Sequence, residues 1–316
     1  KPYDIREWEL LEKTNFSYTQ PWYLPTLGRF LFRHTLYKNG QRTLNFKASA
    51  DARTWPEPTL LAHIEMGDYQ VSWRDGDTSR VATAFDLHPS TGRAGKGLNY
   101  RTNLYYAETG DAGQTWTNAA GDRLNLPLLE SVNPALVHDY RAEDRNVYMK
   151  DIAFENGQPV LLYLTSKGFE PGEASGPYQW FTARYTGKAW DIRPAMTSDH
   201  NYDHGSLYIE APDLWRVIAP TAPGPQPWGT GGDVVMWTST DEGRTWKSKP
   251  LTKGSRYNHT YVRKPVNAHP GFYAIWADGS PLEPTPSSLY FCTKNGEVFR
   301  LPTKMTADTA KPERVR

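Results

Sequence analysis

Three stretches of this chain repeat one another: Thr109-Gly-Asp-Ala-Gly-Gln-Thr-Trp116, Ser239-Thr-Asp-Glu-Gly-Arg-Thr-Trp246 and a shortened Ser49-Ala-Asp-Ala-Arg-Thr-Trp55. Each places an Asp where its carboxylate can tie backbone N–H groups. The two full copies add a Gly free to take φ > 0, which is the chemistry of a tight hairpin turn. The closing Trp is positioned to plug the seam between neighbouring sheets. A turn that recurs once per sheet predicts an all-β molecule, a radial array of small sheets.

Composition agrees. A chain of 316 residues can bury a large core, and one domain of repeated units is expected rather than two unrelated ones. The 12 Trp, 19 Tyr, 25 Gly and 25 Pro suit short strands joined by many turns. No run of about 18 apolar residues exists, so no membrane span is expected. A basic segment followed by an apolar one is missing at the start, so a signal peptide reads as absent or already removed. A net charge of +1 gives no electrostatic case for nucleic acid. The single Cys292 excludes an internal disulfide, and the apolar run Leu289-Tyr-Phe-Cys292 reads as a buried thiol.

Working outward from each turn gives a β-propeller of four-stranded blades. The first takes residues 18–24, 29–37, 42–49 and 58–64. The second opens at 69–73 and carries a Gly-rich excursion, 88–100, before 103–108. The third runs from about 148 to 190, where Tyr185-Thr-Gly-Lys-Ala-Trp190 has lost the Asp but kept Gly and Trp. The fourth runs from Tyr202 to about Leu251. The fifth takes 259–267, 272–277, 288–293 and 297–301. Residues 1–302 form the propeller domain, and 303–316 read as a loose polar tail. One strand, Ile5-Arg-Glu-Trp-Glu-Leu-Leu11, is left over. The simplest account makes it the outer strand of a preceding blade, the chain being the C-terminal part of a larger propeller; a closed five-bladed ring with an N-terminal strap is the competing account.

In a propeller the innermost strands line the axis, so the segments that open them converge although distant in sequence. Those openings hold Gln20 and Trp22; Tyr69 and Gln70; Lys150 and Asp151; His200, Tyr202, Asp203 and His204; and His259, Tyr261 and Arg263, with His269 shortly after. His259, Tyr261 and Arg263 alternate, so all three should point the same way from one strand. A polar face on an inner strand is costly unless it meets a wet cavity. The bland readings are packing tyrosines at 18 and 148, a structural Lys150–Asp151 pair, and a turn capped by Asp203. Arg33, His34 and His63 read as structural. His200 and His204 have helical spacing for a metal, but Asn201, Asp203 and Gly205 favour a turn, so no motif supports calcium or zinc and no cofactor is expected. Gly229-Thr-Gly-Gly-Asp233 lacks the Lys and following helix of a phosphate loop.

With these residues in view, the chain resembles the Asp-box (BNR-repeat) propellers of the sialidase-like class. In particular it resembles the BNR-4 type family of bacterial carbohydrate-acting proteins, which includes ulvan lyases. The resemblance rests on the turns together with Asn15-Phe-Ser-Tyr-Thr-Gln-Pro-Trp22, Ser198-Asp-His-Asn-Tyr-Asp-His-Gly-Ser-Leu-Tyr-Ile-Glu210, Pro223-Gly-Pro-Gln226 and Asn258-His-Thr-Tyr-Val-Arg263. It implies a secreted or periplasmic bacterial protein, a monomer acting on a polysaccharide or oligosaccharide. It further implies Arg263 as clamp for a uronate carboxylate, and His204, His259, Tyr261 and Tyr202 as candidate proton-transfer groups. Sialidases use three arginines and a Tyr–Glu pair; only Arg263 stands at a strand opening here and Glu210 lies inside its strand.

Three functions therefore compete. The leading one is β-elimination at a uronate, with Arg263 neutralising the carboxylate and a neutral His, or a Tyr whose pKa neighbouring cations lower, moving protons. Trp22, Tyr69 and Trp228 would stack on sugar rings, with Gln20, Gln70 and Asp151 reading hydroxyls. The second is glycoside hydrolysis, for which Asp151 and Asp203 would have to face each other across the axis. The third is a propeller that binds glycans without turnover.

Overall fold

The computed structural model describes residues 8–90, 97–304, 306–307 and 309–315. Five antiparallel sheets follow one another along the chain. The first contains β1 (Ser17–Leu24), β2 (Arg29–Lys38), β3 (Gln41–Ser49) and β4 (Thr59–Ala62). In the second are β5 (Asp68–Arg74), β6 (Val81–Leu87), β7 (Thr102–Thr109) and β8 (Leu136–His138). β9 (Asn146–Glu155), β10 (Gln158–Ser166), β11 (Tyr178–Tyr185) and β12 (Trp190–Ser198) make the third. The fourth has β13 (Ser206–Ala211), β14 (Leu214–Ala222), β15 (Asp233–Ser239) and β16 (Lys247–Pro250). The fifth has β17 (Asn258–Arg263), β18 (Ala274–Gly279), β19 (Leu289–Cys292), β20 (Val298–Arg300) and β21 (Glu313–Arg314).

Each sheet packs on the next, and each junction has its own apolar core. Leu31 and Phe46 meet Val81 and Trp116 between the first two sheets. Leu104 and Tyr106 meet Ile152 and Leu161 between the second and third. One residue further along β10, Leu162 points the other way and joins Trp180, Leu207 and Val217 between the third and fourth. Ile218 and Met236 meet Val262, Trp276 and Cys292 at the last junction. The two-residue period of a strand thus gives β6, β10 and β14 two apolar faces, one for each neighbouring blade. This is a β-propeller. Its axial strands are β1, β5, β9, β13 and β17, the first strand of each sheet; β5 packs against β9 and β9 against β13.

The repeated turns fold as their residues dictate. Thr115 donates its N–H (2.9 Å) and hydroxyl (2.6 Å) to the two oxygens of Asp111. The same pair of bonds joins Thr245 to Asp241. In the shortened copy the N–H groups of Arg53 and Thr54 both reach Asp51 at 2.8 Å. Gly113 and Gly243 stand at φ 86° and 77°, and a Cβ there would strike the rings of Phe46 and Trp215. The Gly therefore serves the turn and the seam together. Trp116 fills that seam at 1% exposure, its ring 5.2 Å from Phe46 of the preceding sheet. Trp190 does the same against Tyr106 across the next junction.

Four expectations differ from the structure. The third blade does not end near Trp190, which instead opens its last strand, β12, running to Ser198. The inner strand of the fourth sheet begins at Ser206 rather than Tyr202, because Asp203 captures the N–H of His200 at 3.0 Å and makes a turn of the segment before it. The tail is not wholly loose: β21 pairs with β20, and the Val315 N–H reaches the Val298 carbonyl. Of the strand expected at residues 5–11, residues 5–7 lie outside the described residues and 8–11 form no strand.

Candidate functional site

A cavity of about 640 Å³ opens at the centre, lined from all five sheets. β1 contributes Tyr18, β5 Tyr69, and the segment before β7 Arg101. β9 supplies Lys150 and Asp151, the turn before β13 supplies Tyr202 and His204, and β17 supplies Tyr261 and Arg263, followed by Lys264. Of the residues expected at the site, Gln20, Trp22, Tyr69, Gln70, Lys150, Asp151, Tyr202, His204, Tyr261 and Arg263 border this one hollow.

Two tyrosines reach it through irregular backbone. The β1–β2 register shifts between Ser17 and Gln20, and Tyr18 there has φ 51°. The β17–β18 register shifts between Thr260 and Arg263, and Tyr261 there has φ 59°. A bulky side chain at positive φ costs about 1–3 kcal/mol and persists only where the surroundings impose it, most often at functional positions. Both rings are half exposed, at 47% and 53%. The bulge in β17 also breaks the alternation the sequence implied, so His259 does not share the direction of Tyr261.

His204 stands behind Tyr261, ring centroids 5.0 Å apart. Burial first, then Lys150, Arg263 and Arg101, hold its imidazole well below the usual histidine range, so it is neutral. Its Nδ1 has no hydrogen-bond partner. Arg263 lies 4.3 Å from the Tyr261 ring centroid and donates to the Lys150 carbonyl at 3.1 Å. Lys150 is fully buried, donates to the Asn201 carbonyl at 2.6 Å, and is pulled down by burial. The Tyr202 hydroxyl accepts from Arg101 at 2.8 Å and donates to Asn99 at 2.5 Å; burial raises it despite Arg101, contrary to the expected lowering.

Sequence reasoning missed Arg101, Asp86 and Lys264, and it read Tyr18 as packing. Arg101 and Arg42 both place a guanidinium 3.6 Å from the Tyr69 ring centroid. Asp86, fully buried among Arg101, Arg42 and Lys150, is raised by burial to about 7. Its signal was present: a carboxylate inside the mostly apolar Val81-Ala-Thr-Ala-Phe-Asp-Leu87. Arg101 had no such signal, standing just after the Gly-rich segment 88–100.

Several expected residues have other duties. Lys150 and Asp151 do not pair; Asp151 binds Lys264 at 3.0 Å and accepts the N–H groups of Ile152 and Leu207, which commits most of its acceptor capacity to the frame. The Gln20 carbonyl oxygen is taken by Ser72, and that of Gln70 by Arg33. Trp22 and Tyr69 expose only 8% and 7%, so little of either ring is open to a sugar. Asp203 is fully buried, accepting from His200 and from Gly231 at 2.7 Å, and it cannot face Asp151 across the axis. His200 lies beside this turn, its Nδ1 accepting the Tyr202 N–H. His259 is buried in the last junction, bonded to Trp276 and Ser255. His269 holds the hairpin before β18, and Trp228 stands on a rim loop; neither lines the cavity. Among the described residues no cluster of His, Cys, Asp and Glu would hold a metal ion. Cys292 is buried, its thiol pushed up to about 12.

No family model matches the chain. It is similar to an ulvan lyase of Alteromonas sp. (strain LOR), 24% identical over 95% of this chain and 64% of that enzyme. An ulvan lyase of Nonlabens ulvanivorans is 23% identical over 95% of this chain and 65% of the enzyme. Among solved structures, a polysaccharide lyase described as an ulvanlyase superposes with a TM-score of 0.72 at 18% identity, over 93% of this chain and 69% of that one. A further structure with the same TM-score is bound to -[GlcA(1-4)Rha3S]-. A Hadza microbial sialidase superposes at 0.53 and 13% identity, over 91% of this chain and 58% of the sialidase. These likenesses establish the propeller fold, and the chain spans just under two thirds of the length of the curated relatives it matches.

Proposed function

We propose that the chain belongs to a polysaccharide lyase that cleaves a uronate-containing glycan by β-elimination. The observation that carries this is the convergence of a neutral imidazole, exposed phenols and guanidinium groups on one hollow: His204, Tyr261, Tyr18, Arg263 and Arg101. Elimination needs that set. Arg263 and Arg101 pair with the uronate carboxylate and make the proton on C5 acidic. His204, neutral, accepts that proton. As the C4–O bond breaks and the C4=C5 double bond forms, Tyr261 or Tyr18 delivers a proton to the departing oxygen. Tyr202, its own proton directed at Asn99, positions Arg101.

The relatives named ulvan lyases and the structural neighbour bound to -[GlcA(1-4)Rha3S]- support this reading and suggest ulvan as the first substrate to test. The turns are of the Asp-box, BNR type, and a polymeric substrate places the protein outside the cytoplasm, secreted or periplasmic. The pair Asp151 and Asp203 does not suit a hydrolase, since Asp203 is buried away from the cavity and Asp151 is bound to Lys264.

The test follows the ultraviolet absorbance of the unsaturated sugar when the protein is incubated with ulvan. His204→Ala and Arg263→Ala should each lower kcat/KM by about 10²- to 10⁴-fold with the circular dichroism spectrum unchanged. A saturated reducing end instead of the unsaturated product would overturn the assignment, as would full activity in both variants.

A further inference from the structure

Trp228 stands outside the cavity on the loop between β14 and β15, at φ 62° with 38% of its surface exposed. A bulky aromatic residue at positive φ is a true outlier, and this one is not explained by burial. Its loop imposes it. Asn258, fully buried at the start of β17, donates to the Gln226 carbonyl at 2.9 Å and accepts the Gln226 N–H at 3.1 Å. In return, the Gln226 side chain accepts the Asn258 N–H at 2.9 Å. The Trp228 N–H is held by Asp199 at 3.2 Å and the Gly231 N–H by Asp203. A Cβ on Gly224 would fall 2.1 Å from Asn258 Oδ1, so the chain passes as close to its anchor as glycine allows.

Asp199 precedes, and Asp203 lies within, the turn that carries Tyr202 and His204 into the cavity. The platform is therefore fixed to the same segment as the site. On its other side, Gln226 donates to the carbonyl of Arg256, whose exposed guanidinium makes no ion pair among the described residues.

We propose that Trp228 is an aromatic platform for a sugar ring of a glycan chain extending beyond the central cavity, a distal subsite held in place by Asn258. This rests on the lyase reading and deepens it: the substrate is a polymer gripped at a second point, with Arg256 favouring an anionic sugar there. A rigid indole offers a sugar an apolar face without ordering a flexible side chain on binding.

The test uses the whole protein with Trp228→Ala and Trp228→Phe. With ulvan polymer, Trp228→Ala should raise KM about tenfold, which corresponds to about 1.4 kcal/mol of binding, with a much smaller change in kcat. Trp228→Phe should recover most of the loss. With the shortest oligosaccharide cleaved, the KM effect should shrink to about twofold or less, since that ligand leaves the platform empty. Affinity electrophoresis in gels containing ulvan measures the platform independently of turnover: Trp228→Ala should lose retardation and Trp228→Phe should keep it. If wild type is retarded but produces no unsaturated sugar, the lyase reading fails while the platform stands. Equal retardation and equal polymer KM for Trp228→Ala and wild type would overturn the platform.

Discussion

His204 is held neutral by burial and by a ring of cations, Lys150, Arg263 and Arg101, that penalise a further positive charge. A base with a depressed pKa stays competent as the pH falls. The acid limb of kcat/KM should therefore lie below the ordinary histidine value of about 6.5; a limb at or above that value would point to another base. Asp86 is displaced in the opposite sense. Its carboxyl rises from 3.8 to about 7 in the folded state, so the native protein binds this proton more tightly than the unfolded chain. The stability it contributes is full below about 4 and is lost as the pH rises through about 7. Asp86→Asn should consequently raise Tm relative to wild type more at pH 8 than at pH 4. Thermal denaturation at both values checks this, and an equal difference at both would refute it.

The elements that matter are the closing turns and the bulged inner strands. Trp116, at the end of one turn, is buried between Phe46 and the Arg33 guanidinium, whose carbon lies 5.0 Å from the indole. Its seam cannot collapse without separating two sheets. Trp116→Ala should cost about 3–5 kcal/mol in equilibrium denaturation, near the upper range for aromatic truncation. The half-buried Trp55, against Phe32 on its own sheet, should cost clearly less in the same assay. The bulges at Tyr18 and Tyr261 act in the other direction: they give up regular pairing to aim a phenol at the axis.

Across the whole molecule, Lys264 and Asp151 tie the inner strands together. The Lys264 ammonium contacts Asp151 at 3.0 Å and the carbonyls of Ile152 and Leu207 at 3.0 and 2.8 Å, spanning three blades beside the cavity. Lys264→Met leaves the Asp151 carboxylate buried without its cation, and about 3–5 kcal/mol of stability should be lost by urea denaturation. By contrast, Arg300 and Glu313 are both substantially exposed, and Arg300→Ala should cost no more than about 1 kcal/mol although it borders the last strand pair. A similar cost for both variants would remove the distinction drawn between the axial pair and the rim pair.

The repeat of Asp, Gly and Trp was legible because its chemistry is local: turn bonds form within five residues, and the Trp follows the Asp by five residues in the full copies and four in the shortened one. From that repeat alone the sequence determined the class of fold, most strand positions and the segments that open the inner strands. It also placed His204, Tyr261 and Arg263 at such openings. Tertiary structure decided which polar side chains face the hollow and which serve the frame. Asp151 and Asp203 became anchors, a bulge no spacing rule encodes turned Tyr261 to the axis while His259 before it stayed in a blade junction, and Arg101 arrived from the segment just before β7. The physical reason is range: turn geometry depends on neighbours in sequence, whereas the direction and charge state of a side chain at the axis depend on four other blades.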